Sequence, residues 1–213
     1  FSTANAAISV AAQAAATELT VNEKWVVDYG KYFVLERANL FTSTWNPDAN
    51  RFFLTKDANG NLVYSDNASL KDKDAYWTIK DVTPTNDPKI DGTTVVAKVK
   101  IVNANGWTLA FDKGNANADG HLKVATATTT AANRVEEFYV LAGAPSCEGQ
   151  LAIYDGTNEY RLGNVSTPLA GSNYEAVAVK YTTGSSVTAA SINDVNAVGI
   201  DEEAIPVRDL NAE

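Results

Sequence analysis

Four β-type runs open the part of the chain that decides its fold: KYFVLERA (31–38), RFFLTKD (51–57), NLVYSD (61–66) and AYWTIKDV (75–82). Aromatic and β-branched residues fill these runs, and polar segments separate them, which is the pattern of strands joined by turns. The same order returns as TVVAKVKIVN (94–103), GWTLAFD (106–112), HLKVATAT (121–128) and VEEFYVLAG (135–143). It returns again as GQLAIYDG (149–156), NEYRLGNV (158–165), a weak STPLAG (166–171) and YEAVAVKYT (174–182). The sequence therefore predicts an all-β protein with three four-stranded repeats.

A short turn stands at the same place in each repeat. These turns cover Asp57–Asn61, Asn103–Gly106 and Asp155–Asn158. Gly and Asn tolerate the positive φ angles that tight hairpins require. We therefore expect three equivalent hairpins.

Equivalent hairpins would place one leucine of each repeat in a shared core. These leucines are Leu54, Leu109 and Leu162. An aromatic residue also opens the last run of each repeat, at Trp77, Phe138 and Tyr174. Both sets predict a pseudo-threefold arrangement.

Size and charge limit the possible functions. The chain has 213 residues, 45% of them hydrophobic, which suits one main domain. A net charge of −9 disfavours binding to nucleic acid phosphates or to an anionic membrane surface. No apolar run approaches the ~18 residues of a membrane helix, so we expect no membrane insertion. The absence of Met, including at position 1, suggests a processed chain or a fragment of a larger protein.

The two ends of the chain differ from its centre. Residues 3–19 are rich in Ala, which favours a short helix, and residues 1–24 are interpreted as an N-terminal helix or leader segment. The β domain is placed at 25–183. Residues 184–213 begin with small polar residues and end acidic, which favours a linker over the opening strand of a following domain.

Aromatic rings beside Asp and Asn are the candidate ligand contacts. Trp and Tyr faces stack on sugar rings, and amide or carboxylate oxygens accept hydrogen bonds from sugar hydroxyls. Trp77 lies in an apolar run and should be core, whereas Trp45 is the better candidate for an exposed ring. The candidate ligand-binding set is Trp45, Asp57, Asn59, Tyr64, Trp107 and Asp112.

Metal and catalytic chemistry find little support. Oxygen ligands lie at Asp112, Asn115, Asn117 and Asp119, the last three at alternate positions as calcium prefers, but the closing glutamate of an EF-hand is missing. Turn capping explains them better. We expect no metal site and no cofactor.

A catalytic site is not expected either. Cys147 is the lone cysteine and His121 the lone histidine. Glu136 and Glu137 are interpreted as neighbours on one strand, facing opposite sides, so they could not flank one glycosidic bond. The chain is therefore predicted not to be an enzyme. Because His121 follows a probable turn without other metal ligands, its replacement by Ala is expected to leave folding nearly unchanged.

Three repeats of four β runs, each with an aromatic opening its last run, resemble the β-trefoil, particularly the ricin-type family. The resemblance covers residues 25–183. Ricin-type repeats carry Gln-x-Trp near the closing run, where this chain has Ala-Tyr-Trp (75–77), Glu-Glu-Phe (136–138) and Ser-Asn-Tyr (172–174). The Gln is absent from all three positions, and the Trp is present only at Trp77.

Three further phrases are similar to segments of secreted Bacteroidales surface proteins, including S-layer-type proteins: GKYFVLERAN, AYWTIKDV and NGWTLAFDKGN. The resemblance implies an extracellular or cell-surface location. It also implies a noncatalytic structural or interaction module whose partners are other domains or copies of a surface protein. The alternative is a lectin-like module that binds carbohydrate, with glycans as its partners.

Overall fold

The chain is all-β in the part that its computed structural model describes. Those residues are 8–10, 25–27, 33–37, 52–57, 60–65, 73–83, 95–141, 150–169, 173–193 and 195–199. Within them, helical geometry is limited to two 3-10 turns, Lys73–Ala75 and Ala131–Asn133. No helix among these residues is long and apolar enough to cross a membrane. The predicted all-β class is confirmed.

The strands follow the predicted runs closely through most of the chain. The first eight are β1 (Ile8–Val10), β2 (Trp25–Val27), β3 (Phe33–Arg37), β4 (Phe53–Lys56), β5 (Leu62–Ser65), β6 (Trp77–Thr83), β7 (Val95–Asn103) and β8 (Phe111–Ala116). The next eight are β9 (Leu122–Val124), β10 (Arg134–Val135), β11 (Phe138–Leu141), β12 (Leu151–Tyr154), β13 (Glu159–Val165), β14 (Tyr174–Tyr181), β15 (Ala190–Ile192) and β16 (Val195–Gly199).

Most strands belong to one curled, half-barrel sheet of antiparallel pairs. Its order is β10-β8-β9-β14-β5-β4-β3-β6-β7-β11-β12-β13-β15, and β16 pairs with β3. Strand β14 also pairs with β13, so the path of paired strands returns on itself. The two remaining strands, β1 and β2, form a small parallel sheet.

The three predicted turns are confirmed. Gly60, Gly106 and Gly156 adopt φ angles of 80°, 89° and 102°, values that an L side chain rarely takes. The Gly60 N–H donates to the Asp57 carbonyl at 2.9 Å, and the Gly106 N–H donates to the Asn103 carbonyl at 2.8 Å. Glycine is therefore required by backbone geometry at these turns.

The predicted convergence of three leucines is also confirmed. Leu54, Leu109 and Leu162 are each 0% exposed and belong to one core cluster. Trp77, Phe138 and Tyr174 each begin a strand, as predicted. Trp77 lies in the same core, where its indole N–H donates to the Leu54 carbonyl at 3.0 Å. The three-repeat trefoil symmetry itself stays a prediction.

The second repeat departs from its predicted strands. GWTLAFD (106–112) was expected to be one run, but Thr108 forms only an isolated bridge with Val102, and β8 begins at Phe111. After the Gly106 turn, the Leu109 N–H donates to the Ile101 carbonyl at 2.8 Å. Strand β8 therefore begins later in the sequence than the apolar run predicted.

The predicted N-terminal helix is wrong at Ile8–Val10, which forms β1. The β-branched Ile8 and Val10 favour extended backbone, and pairing with β2 satisfies its N–H and C=O groups. Small Ala side chains offer a helix little area to bury, so propensity alone does not hold one. The remainder of residues 3–19 lies outside the described residues.

Within residues 184–213, the structure has strands at Ala190–Ile192 and Val195–Gly199, which agrees with the strand alternative and not with a linker there. Strand β15 pairs with β13, and β16 pairs with β3 over five residues, Val195–Gly199. The β domain thus extends at least to Gly199, because paired backbone groups, not hydrophobicity, fix this segment. Residues 200–213 lie outside the described residues.

Replacement of Leu109 by Ala should lower the free energy of unfolding by about 2–5 kcal/mol, because it removes core contacts and leaves a cavity. Urea denaturation followed by tryptophan fluorescence measures this. Leu169→Ala is the matched control, since Leu169 is 39% exposed, and its effect should stay within about 0.5 kcal/mol. Equal losses in the two variants would contradict the core assignment.

Candidate functional site

Asp57 uses its carboxylate to hold its own turn. One oxygen accepts the backbone N–H of Asn61 at 2.8 Å, and the other accepts the Asn61 side-chain amide at 2.9 Å. Such capping fixes the β4–β5 hairpin. Asn59, of the same predicted set, lies outside the described residues.

Asp112 plays a similar part on β8. Its Oδ1 accepts the Gly114 N–H and its Oδ2 accepts the Thr129 hydroxyl, both at 2.8 Å. Gly114 lies so close to Asn133 that a Cβ there would come within 2.6 Å of the Asn133 Nδ2. Asp112 therefore ties β8 to the loop before β10.

Trp107 is half-buried and already contacted by protein groups. The Lys56 ammonium lies 3.8 Å from its ring centroid, and Trp77 packs against it edge to face, with centroids 5.1 Å apart. Partial burial lowers the pKa of Lys56, and the Asp74 carboxylate opposes that effect. The structure thus brings Trp107 beside Lys56, which immediately precedes Asp57.

Asp74 and Asn105 are the polar residues next to this pair, since Asp74 acts on the charge of Lys56 and Asn105 lies two residues before Trp107. The Asn105 amide donates to an Asp74 carboxylate oxygen at 2.6 Å, and the Asn103 amide donates to the Asp74 carbonyl at 2.9 Å. Lys56, Asp74, Asn105 and Trp107 are called the Trp107 patch below. The sequence could not join these residues, because they come from the end of β4, the 3-10 turn before β6 and the turn after β7.

Tyr64, another predicted site residue, does not join the Trp107 patch. Tyr64 is 0% exposed and belongs to the core, so its ring offers no face to a ligand. Alternation along the run NLVYSD did not reveal this burial, because β5 is buried along its whole length. Trp45 lies outside the described residues.

His121 has a structural role that its place in the sequence did not predict. It is 2% exposed, and its Nδ1 accepts the Lys180 backbone N–H at 3.0 Å. Its Nε2 lies 2.6 Å from the Thr188 carbonyl. Since a carbonyl can only accept, Nε2 carries the proton. His121 follows the turn that ends at Gly120, as predicted. Its imidazole also joins β14 to the segment before β15, which the sequence did not predict.

A small polar cleft of about 120 Å³ opens beside this imidazole. Its lining residues are Asp119, His121, Lys180, Thr182, Ser185, Ser186, Val187 and Thr188. The pattern along the chain could not predict it, because the cleft joins a turn, the end of β14 and the following segment.

Asp155 in the third turn is hydrogen-bonded to Tyr160 on β13. Partial burial opposes ionisation of Asp155, but hydrogen bonds from the Asn158 and Thr157 N–H groups and the Tyr160 hydroxyl outweigh it and lower its pKa. The Tyr160 hydroxyl donates to Asp155 at 2.9 Å. Burial and this carboxylate together raise the pKa of Tyr160.

The two adjacent glutamates also differ from expectation. Glu136 and Glu137 lie between β10 and β11, not on one strand. Glu136 pairs with Lys100, and Glu137 pairs with Lys98, each at 3.2 Å. They therefore form surface ion pairs with β7, of the kind that contributes little stability.

Among the described residues, no three His, Cys, Asp or Glu side chains are grouped so that they could hold a metal ion. Cys147 lies outside those residues. The carboxylates of Asp57, Asp112 and Asp155 instead accept hydrogen bonds from nearby protein groups. Their chemistry is that of turn stabilisation.

No family model and no curated protein matches the chain. Among solved structures, it is similar to a Caenorhabditis elegans protein of unknown function, with 13% identity and a TM-score of 0.44, covering 76% of this chain and 93% of that one. It is also similar to the SDF2-like protein from Arabidopsis thaliana, with 12% identity and a TM-score of 0.44, covering 78% and 94% of the two chains. Likeness at this level supports no inference about ligand or activity.

His121→Ala should lower the free energy of unfolding by about 1–3 kcal/mol, because it removes two hydrogen bonds of a side chain that is 2% exposed, each worth about 0.5–1.5 kcal/mol. Urea denaturation checks this. Lys180→Ala is the control, since it keeps the backbone N–H that contacts His121, and it should change stability little. An unchanged His121→Ala variant would contradict the structural role.

Asp155→Asn should reveal a pH-dependent contribution. Because folding lowers the pKa of Asp155, its carboxylate stabilises the fold above the unfolded value of about 3.9, and this contribution is lost as pH falls through the folded value. The stability difference between wild type and variant should therefore shrink from about pH 7 to about pH 3, as measured by urea denaturation. A difference independent of pH would contradict this account.

Proposed function

We propose that the chain is a noncatalytic structural or interaction module of an extracellular bacterial surface protein, of the type that builds a surface layer. The observation that carries this proposal is that polar side chains form hydrogen bonds within the fold. Asp57, Asp112 and Asp155 accept hydrogen bonds that hold turns or join loops, and His121 bridges two segments. Such a framework suits a module that must keep its shape while its surface meets neighbours.

The net charge and the segments similar to known surface proteins support the same proposal. The chain carries a net charge of −9, which favours solubility and disfavours binding to other polyanions. Its phrases similar to Bacteroidales surface proteins suggest that its partners are other domains or copies of such a protein.

We further propose the β-trefoil as the finer fold. Three confirmed hairpin turns, three leucines in one core and three aromatic strand openings support a threefold plan. In this proposal the outer surface of the module carries the function.

Carbohydrate binding is the alternative, and the Trp107 patch is the observation in its favour. An indole ring beside Lys56, Asp74 and Asn105 combines an apolar surface with hydrogen-bonding groups, which is a combination suited to sugars. Lys56 already covers the ring, however, so a sugar would have to displace its ammonium. For that reason the structural role is the leading proposal.

Envelope binding tests the leading proposal. Purified protein is mixed with Bacteroidales cell envelopes from which surface proteins have been extracted, and retention is measured by co-sedimentation. We expect the folded chain to be retained, and free monosaccharides should not release it. Chemically unfolded chain is the control. Absence of retention would contradict the proposal, and release by a sugar would favour the carbohydrate alternative.

A glycan array tests the alternative with Trp107→Ala and Trp45→Ala. Loss of a glycan signal in either variant, with the far-UV circular dichroism unchanged, would support sugar contact by that ring. Asp155→Asn is the control, because Asp155 bonds within its own turn. No signal from the wild-type chain would contradict the carbohydrate alternative.

A further inference from the structure

The end of the described chain joins the sheet at two separate places. Strand β15 pairs with β13, and β16 pairs with β3. Only Asn193 and residue 194 lie between these strands. On its other edge, β3 meets β4 through Glu36 and β6 through Phe33. Strand β16 therefore fills the second edge of β3, and its departure would expose unpaired backbone groups there.

The backbone is strained just before β15. Ala189 has a φ of 54°, and it is the one non-glycine residue with positive φ among those described. Such a conformation costs free energy for a residue with a Cβ, and it persists only where surroundings impose it. Here the Ala189 carbonyl accepts the Ser166 N–H at 2.9 Å, and the neighbouring Thr188 carbonyl is held by His121.

A second unfavourable feature lies just after β15. Asn193 is 0% exposed, and its amide nitrogen donates to the Asn164 Oδ1 at 2.9 Å. Its own Oδ1 is buried and has no hydrogen-bond partner in the part of the chain that the structure describes. A buried, unsatisfied acceptor costs free energy that exposure to water would recover.

Residues 184–199, called the C-terminal strap below, thus carry a cost on each side of β15. The buried imidazole of His121 opposes opening on the Ala189 side, because it fixes Thr188 to β14 through the Lys180 N–H. A segment that contains a strained residue and an unsatisfied buried acceptor opens more readily than the sheet it joins.

We propose that the C-terminal strap opens independently of the main sheet, and that β16 of one copy can then pair with β3 of a second copy. The partner strand is known from the molecule itself, since β16 already pairs with β3 in antiparallel register from Phe33 to Arg37. Exchange of identical elements is an established route to assembly. The inference rests on the proposed role as an assembling module and names the contact involved.

Native-state hydrogen exchange, followed by mass spectrometry, tests independent opening. Amides of β15 and β16 should open at least about tenfold more often than those of β14. Ala189→Gly should reduce strap opening by about fivefold, since glycine adopts positive φ without strain. His121→Ala should increase it. Ala132→Gly is the control, because Ala132 lies exposed in the 3-10 turn, and it should not slow strap exchange. Equal opening of the strap and β14 would overturn the proposal.

A labelled peptide with the sequence of residues 184–199 tests exchange between copies. Fluorescence anisotropy should show uptake by the full chain, slower in Ala189→Gly, and none of a scrambled peptide. Light scattering after incubation at high concentration should show a dimer that the peptide suppresses. Equal behaviour of both peptides, or a monomer throughout, would overturn the exchange. Failure of envelope binding alone would leave strap exchange intact and contradict only the proposed function.

Discussion

The burial of three distant leucines in one core is the interaction on which the rest of the structure depends. Leu54 comes from β4, Leu109 follows the turn after β7, and Leu162 comes from β13, yet none has exposed surface. A flat sheet could not bring these side chains together, so the sheet must curl, and the paired path returns from β13 to β14. Once the leucines point inward, the turns of the three hairpins lie at the periphery. Their backbone groups must then be satisfied by local side chains, because the ladder ends there.

This requirement explains where the polar residues go. Asp57 and Asp155 accept N–H groups of their own turns, and Asp112 ties β8 to a distant loop through Thr129. Asn103 and Asn105 fix the second turn against Asp74. The side chains that could have served a ligand thus have structural partners. Because these polar side chains stabilise turns and loops, we propose a module whose function lies in its outer surface and its assembly.

Local chemistry made much of the fold predictable. Gly60, Gly106 and Gly156 marked the turns because few other residues accept their φ angles, and alternating apolar residues located most strands. Non-local contacts could not be seen in the same way. Nothing near Val195–Gly199 indicates that its partner is β3, and small polar residues hid β15. Ile8–Val10 is extended because β2 pairs with it, despite the Ala-rich surroundings. The burial of His121 and the position of Lys56 over Trp107 likewise depend on residues far apart in sequence.

The central claim is that the three hairpins share one core and therefore unfold together. Unfolding of Leu54→Ala and Leu162→Ala, each followed by both tryptophan fluorescence and far-UV circular dichroism, tests it most directly. Tryptophan fluorescence reports Trp25, Trp45, Trp77 and Trp107, all outside the third repeat that contains Leu162, whereas circular dichroism reports all strands. The account predicts one transition in each variant, at the same urea concentration for both probes and lower than in wild type. Separate transitions, with Leu162→Ala unfolding its own strands while Trp77 stays buried, would contradict a shared core.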